Sequence, residues 1–193
     1  NSKSGVTKIW QDLKLTLDNK IFRALIAFEI PFSMAYGALV SLNMFAWTYF
    51  WQFSAAQISI LLSAPSVIAI LMVMVTLRPL GKRWEKHQQV KFSMWILFLN
   101  CLWLYPLRIT DLVPSTSENL SFTLNLITML IFMYFFLLRS INVQSITVDV
   151  TDLHLLRYRQ LQEGSFLSII NFCQKIASIF GPIYGGIALD FIE

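Results

Sequence analysis

Apolar residues along this chain are gathered into five long runs, separated by shorter polar stretches. A helix needs about 20 consecutive apolar residues to cross a hydrocarbon core about 30 Å thick, and most of the runs approach or exceed that length. The pattern therefore predicts an all-α polytopic membrane protein with about five transmembrane helices. The predicted spans are residues 21–51, 58–77, 92–107, 120–138 and 164–187.

The segment before the first span, residues 1–20, has a different pattern. Its apolar residues recur at spacings of three and four, with lysines between them, which is typical of an amphipathic helix in the membrane interface. We expect a cytoplasmic linker helix here, followed by a transmembrane half-domain over residues 21–193. The apolar face of the linker helix would consist of Val6, Ile9, Trp10, Leu13 and Leu17.

The composition agrees with a membrane protein. The chain is 56% hydrophobic and 13% charged, whereas soluble domains carry about 25% charged residues. A net charge of +4 could serve nucleic-acid binding, but the lysines and arginines lie between the apolar runs, where they determine topology. We therefore expect the lipid bilayer as a partner and no nucleic acid.

Charged residues between the spans predict the orientation of the chain in the cell membrane. Residues 78–91 contain five basic residues and one acid, and loops rich in lysine and arginine stay in the cytoplasm. Residues 139–163 fall on the same side, and residues 108–119, with a single arginine, fall outside. This alternation predicts a cytoplasmic N-terminus and an outer C-terminus. The odd number of spans and the absence of an initiator methionine indicate a piece of a longer protein that lacks a following helix.

Polar residues inside the first span follow one helical face. Glu29, Tyr36 and Asn43 are spaced by seven residues, close to two helical turns. An ionisable group inside a bilayer is energetically costly and usually faces a cavity or a partner, so this face is predicted to line an aqueous path. The alternative is that Glu29 lies near the headgroups and snorkels or caps a neighbouring helix.

The last span carries Lys175 near its middle, on a face with Asn171 and several small residues. A lysine at this depth cannot easily reach either membrane surface, so it requires an acidic partner or a water-filled cavity. The alternative is a structural ion pair without solute contact. The candidate residues for a solute cavity are Lys175, Asn171, Glu29, Tyr36 and Asn43.

Several short motifs carry a family resemblance. The stretch Asp149-Val150-Thr151-Asp152, followed by Glu163-Gly164 and a span with Lys175, resembles the signature of the glycoside–pentoside–hexuronide:cation symporters, the melibiose-permease-like family of the major facilitator superfamily. The segments 18–23 and 81–86 are similar to the start of that family's seventh helix and to its loop between helices eight and nine. The resemblance covers nearly the whole chain and identifies it as a C-terminal half.

The resemblance also implies a gate on the cytoplasmic side. The family's usual Gly-x-Arg pattern would fall on Arg159-Gln160-Leu161, where neither the glycine nor the arginine is in place, so Arg157 or Arg159 would supply the charge from a shifted position. The predicted cytoplasmic gate residues are Asp149, Asp152, Arg157, Arg159 and Glu163.

The function implied by the resemblance is secondary active transport by alternating access. The solute would be a sugar or a related small organic molecule, although a related branch of the fold moves lysolipids. The full-length protein would use a coupling cation, Na+ or H+, whose acidic ligands the family places mainly in the N-terminal half. The missing N-terminal half and final helix are then expected partners, and no other cofactor is expected.

Two other functions are compatible with a polytopic membrane chain. One is a non-transporting membrane subunit or assembly protein. The other is an intramembrane enzyme, but His87 and His154 both fall in predicted cytoplasmic segments, and the sequence has no nucleophile–base or metal-ligand spacing. We therefore expect no enzyme, no catalytic residue and no metal site.

Overall fold

The computed structural model describes residues 20–110, 118–158 and 163–190. Over these ranges the chain is almost entirely helical, which confirms the predicted all-α membrane fold. The predicted linker helix and the loop around residues 111–117 lie outside the described ranges. The helices are α1 (Lys20–Phe45), continued by a π-helical segment (Ala46–Phe50), α2 (Ala55–Arg83), α3 (Lys86–Ile109), α4 (Glu118–Tyr158) and α5 (Glu163–Asp190).

The described helices are long enough to cross a membrane, as the apolar runs predicted. Four stretches have the necessary length and hydropathy within the described ranges, and α5 contains a shorter apolar stretch, Leu167–Phe180. The four stretches are Lys20–Phe50, Ala55–Arg83, Lys86–Leu107 and Asn119–Leu153.

The helix that contains the fourth predicted span is longer than that span. The predicted span ends near residue 138, before the predicted cytoplasmic segment, and α4 continues to Tyr158. The membrane boundary within α4 stays a prediction. Arg139 interrupts the apolar run, yet residues 139–158 contain neither glycine nor proline, the two residue types that most disrupt a helix. Two polar residues in this part of α4, Arg139 and Asn142, are buried. Asn142 is hydrogen-bonded to Gln89 of α3.

The end of the first span changes its helical geometry. In the π-helical segment the Trp51 N–H donates to the Ala46 carbonyl at 2.8 Å, five residues back instead of four. Gln52 then takes a left-handed conformation with φ of 55°, which turns the chain. Ser54 begins α2 through a capping box with Gln57, in which side chains and backbone N–H groups are satisfied reciprocally.

The chain forms two compact units, one of residues 1–45 and 147–193 and the other of residues 46–146. In the first unit α1 packs closely on α5. A methyl carbon added to Gly37 would lie 2.5 Å from the carbonyl oxygen of Ser178, so the two backbones approach each other because Gly37 has no side chain.

The second unit contains a buried apolar cluster at the end of the π-helical segment. Trp47 also donates through its indole Nε1 to Asn125 Oδ1 at 3.2 Å, so this polar side chain is satisfied inside the cluster. Phe53 and Phe122 pack edge to face with ring centroids 5.8 Å apart. The cluster consists of Trp47, Trp51, Phe53, Leu61, Leu104 and Met129.

Candidate functional site

Glu29 is buried at the contact between α1 and α5. Only 1% of the residue is exposed, and Gln174 of α5 donates through its amide Nε2 to a carboxylate oxygen of Glu29 at 2.7 Å. The buried residues of α1 recur at spacings of three and four, from Phe22 through Glu29 to Gly37, so Glu29 lies on the face that packs inward. The contact joins Glu29 to a neighbouring helix, and its place on an aqueous path stays a prediction.

Lys175 follows Gln174 directly, and its side chain is exposed. Successive residues of an α-helix are about 100° apart around the axis, so Gln174 and Lys175 project in different directions. The hydroxyl of Ser178 donates to the Lys175 backbone carbonyl at 2.8 Å, a bond within the helix that does not involve the ammonium group. The first unit therefore has a buried acid on α1, Glu29, and an exposed cation on α5, Lys175, which directly follows the residue that contacts the acid.

The other predicted cavity residues have intermediate or high exposure. Tyr36 is half-buried on α1, where its ring stacks on Phe32 with centroids 6.5 Å apart, and Asn43 is half-buried two turns further on. Asn171 is exposed one turn before Lys175 on α5. The structure thus brings Glu29 into the α1–α5 contact and leaves the ammonium group of Lys175 accessible.

The predicted cytoplasmic gate is described only in part. Asp149 and Asp152 lie on α4 with exposed side chains. Arg157 and Glu163 belong to the helical parts of the chain, but their side chains lie outside the described set, as does the whole of Arg159. The gate therefore stays a prediction.

A second group of buried polar residues was missed by the sequence reasoning. It consists of Gln89 and Ser93 on α3 with Arg139 and Asn142 on α4, and all four are nearly inaccessible, Arg139 at 2% exposed. Asn142 donates through Nδ2 to Gln89 Oε1 at 3.1 Å, and Gln89 donates through Nε2 to the Trp84 carbonyl at 2.9 Å. The spacings of four on α3 and three on α4 are the signal that could have found this group.

The described residues contain no group of three or more His, Cys, Asp or Glu side chains that could hold a metal ion. Amide hydrogen bonds hold some of the buried polar groups, namely Glu29 with Gln174 in the first unit and Asn142 with Gln89 in the second. Such residues can orient a solute or change partners during a conformational cycle.

Long apolar helices that bury an acid and an amide define a multi-pass membrane protein with polar residues inside its spans. Residues 1–193 match the family described as MFS/sugar transport protein. The chain therefore belongs to this family of sugar transporters of the major facilitator superfamily, as the motifs predicted. No curated protein and no solved structure matches it. The narrower melibiose-permease-like assignment stays a prediction.

Proposed function

We propose that this chain is part of a secondary active transporter that moves a sugar or related small organic solute together with a cation. Membership of a sugar-transport family supports the solute class. The observation that carries the proposal is the buried Glu29, bonded to Gln174 at 2.7 Å in a helix pair that also presents Lys175. Buried ionisable groups in membrane helices mark solute or ion pathways.

Lys175 would take part in the cycle through its accessible ammonium group. Placing a lysine at the centre of a membrane helix costs at least about 2.5 to 3.5 kcal/mol, so its partner has a large energetic effect. In the proposed cycle Lys175 pairs with an acid when the central site is empty, and it gives up or shares that pair when solute binds. Asn171, one turn away, would add hydrogen bonds to the hydroxyl groups of a sugar.

The proposed gate is formed by the acids at the end of α4 and the arginines that follow. Asp149 and Asp152 are exposed on α4, and pairing with Arg157 or Arg159 would close the cytoplasmic side. Exposed ion pairs contribute only about 0.2 to 1 kcal/mol each, so several pairs would have to form together. Weak pairs also open readily, as an alternating-access cycle requires.

The rest of the transporter would come from an N-terminal half and a final helix, with the coupling cation, Na+ or H+, bound mainly in the N-terminal half. The basic residues 78–91 support a cytoplasmic position for the turn between α2 and α3. The N-terminus of the chain would then be cytoplasmic and its C-terminus on the outer side. We propose a transport protein without catalytic residues.

The proposal is tested by substitution of Lys175 in the complete transporter. Proteoliposomes with Lys175→Ala should lose accumulation of solute against its gradient, and Lys175→Arg, which keeps the charge, should retain part of it. Lys20→Ala, which removes an exposed cation at the start of α1, is the matched control and should transport normally. Unchanged accumulation by Lys175→Ala would remove this residue from the mechanism.

A further inference from the structure

The turn between α2 and α3 presents a dense group of exposed positive charge. α2 ends at Arg83 and α3 begins at Lys86, and all five basic side chains between residues 78 and 91 are exposed. The one acid of this segment is Glu85, whose carboxylate Oε2 lies 3.1 Å from His87 Nδ1. We call this segment the basic turn; its cations are Arg78, Lys82, Arg83, Lys86 and Lys91.

The basic turn is held in a fixed shape. The Trp84 N–H donates to the Leu80 carbonyl at 2.9 Å, and the Trp84 carbonyl accepts from Gln89 Nε2 at 2.9 Å. The Trp84 ring packs edge to face on Phe92 with centroids 5.0 Å apart. Because Gln89 is itself bonded to Asn142 of α4, the turn is tied to the buried part of its unit, and its cations project from a fixed base.

Two of these cations continue an exposed apolar stripe on α2. Val67, Leu71 and Val75 are spaced by four residues and are 59%, 59% and 75% exposed. Arg78 and Lys82 follow at spacings of three and four, so the five residues lie along one face of the helix. Arg78 and Lys82 are separated by about 6 Å along the helix axis, at about 1.5 Å per residue, which lets both side chains reach one phosphate group.

A similar order occurs on α3. Lys91 is exposed and is followed on the same face by Trp95, Phe98 and Leu102, all more than half exposed. The rings of Trp95 and Phe98 pack edge to face at 6.3 Å. Tryptophan beside a lysine is typical of the interface between headgroups and acyl chains. Both helices therefore present an exposed cation followed by an exposed apolar stripe.

We propose that the basic turn is a binding site for an anionic phospholipid. The phosphate would lie between Arg78 and Lys82, and an acyl chain would follow Val75 and Leu71. The charge order matches the chemistry of such a lipid, since a negative headgroup meets cations and a hydrocarbon tail meets apolar side chains. The proposal concerns residues other than those proposed for the solute cavity, so it does not depend on the transport function.

The test titrates the purified protein in detergent with phosphatidylglycerol and, separately, with phosphatidylcholine of the same acyl chains, and counts bound lipids by native mass spectrometry. Phosphatidylglycerol should bind more tightly than phosphatidylcholine. Arg78→Gln with Lys82→Gln should weaken its binding by about thirtyfold, since each cation near a membrane surface contributes a factor of about five. The swap Arg78→Lys with Lys82→Arg keeps both charges and should retain most of the binding.

The matched control removes two charges elsewhere, Lys20→Gln with Arg23→Gln, both exposed on α1. It should bind phosphatidylglycerol like the unmodified protein, and all variants must elute as the same species on size exclusion. Equal binding of the two lipids, or an equal loss in both charge-removal variants, would overturn the proposal. Displacement of the lipid by millimolar inorganic phosphate would also overturn it, because that result indicates a site for free anions.

Discussion

The close approach of α1 and α5 makes Gly37 sensitive to any added side chain. Gly37→Ala would place a methyl carbon 2.5 Å from the Ser178 carbonyl oxygen, 3.1 Å from its Cα and 3.2 Å from its carbonyl carbon. All three atoms belong to backbone, so the clash cannot be relieved by rotating a side chain. The helices would have to separate by several tenths of an ångström. This separation would also lengthen the hydrogen bond between Glu29 and Gln174.

The expected cost combines two effects. Overpacking of a close contact destabilises by about 1 to 3 kcal/mol, and replacing glycine by alanine within a helix returns about 0.5 to 1 kcal/mol. The net loss should then lie between about 0 and 2.5 kcal/mol, with a middle value of about 1 kcal/mol. For a chain of 193 residues a change of 1 kcal/mol corresponds to about 2 to 4 °C in Tm, by the scaling of soluble domains.

The assay is thermal unfolding of the purified protein in one detergent. The matched control is Gly81→Ala on α2, where no atom lies within 4 Å of the added carbon, so only the gain in helix propensity remains. We expect Gly37→Ala to lower Tm by several degrees and Gly81→Ala to leave Tm unchanged or raise it. Equal Tm values for the two variants would refute the close contact between α1 and α5.

Two further predictions concern buried hydrogen bonds. Gln174→Leu removes the amide that donates to Glu29 at 2.7 Å. The loss of this bond should cost about 1.5 to 3 kcal/mol, measured as a lower Tm. Gln174→Glu adds a second acid beside Glu29 and should lower Tm further. Trp47→Phe leaves the Asn125 Oδ1 without its 3.2 Å donor and should cost about 1 to 3 kcal/mol. In a double-mutant cycle with Asn125→Leu, the combined loss should be smaller than the sum of the two single losses; strictly additive losses would contradict the bond.

The helices were predictable because each apolar run is long and bounded by polar residues. The burial of Glu29 was also within reach, since its spacing to other inward residues of α1 follows the helical period. The sequence could not predict whether Gln174 or Lys175 contacts Glu29, because the two residues are adjacent on α5. Only the packing of the two helices decides which of them faces α1.

The length of α4 could not be predicted from its apolar run. A charged residue after an apolar run favours the end of a membrane span, but it does not have to end the helix. The described structure instead buries Arg139 one turn before Asn142, on the helix that also supplies the bond to Gln89. Such burial depends on partners distant in sequence.

The central claim is that the complete protein carries a solute across a membrane by coupling it to a cation gradient. The most direct measurement is uptake of labelled sugars into proteoliposomes of the complete transporter, with an inward Na+ or H+ gradient imposed or collapsed. We predict transient accumulation above the external concentration for at least one sugar, and its loss when the gradient of the coupling ion is collapsed. Uptake that never exceeds equilibrium, with either gradient and every sugar, would contradict the account.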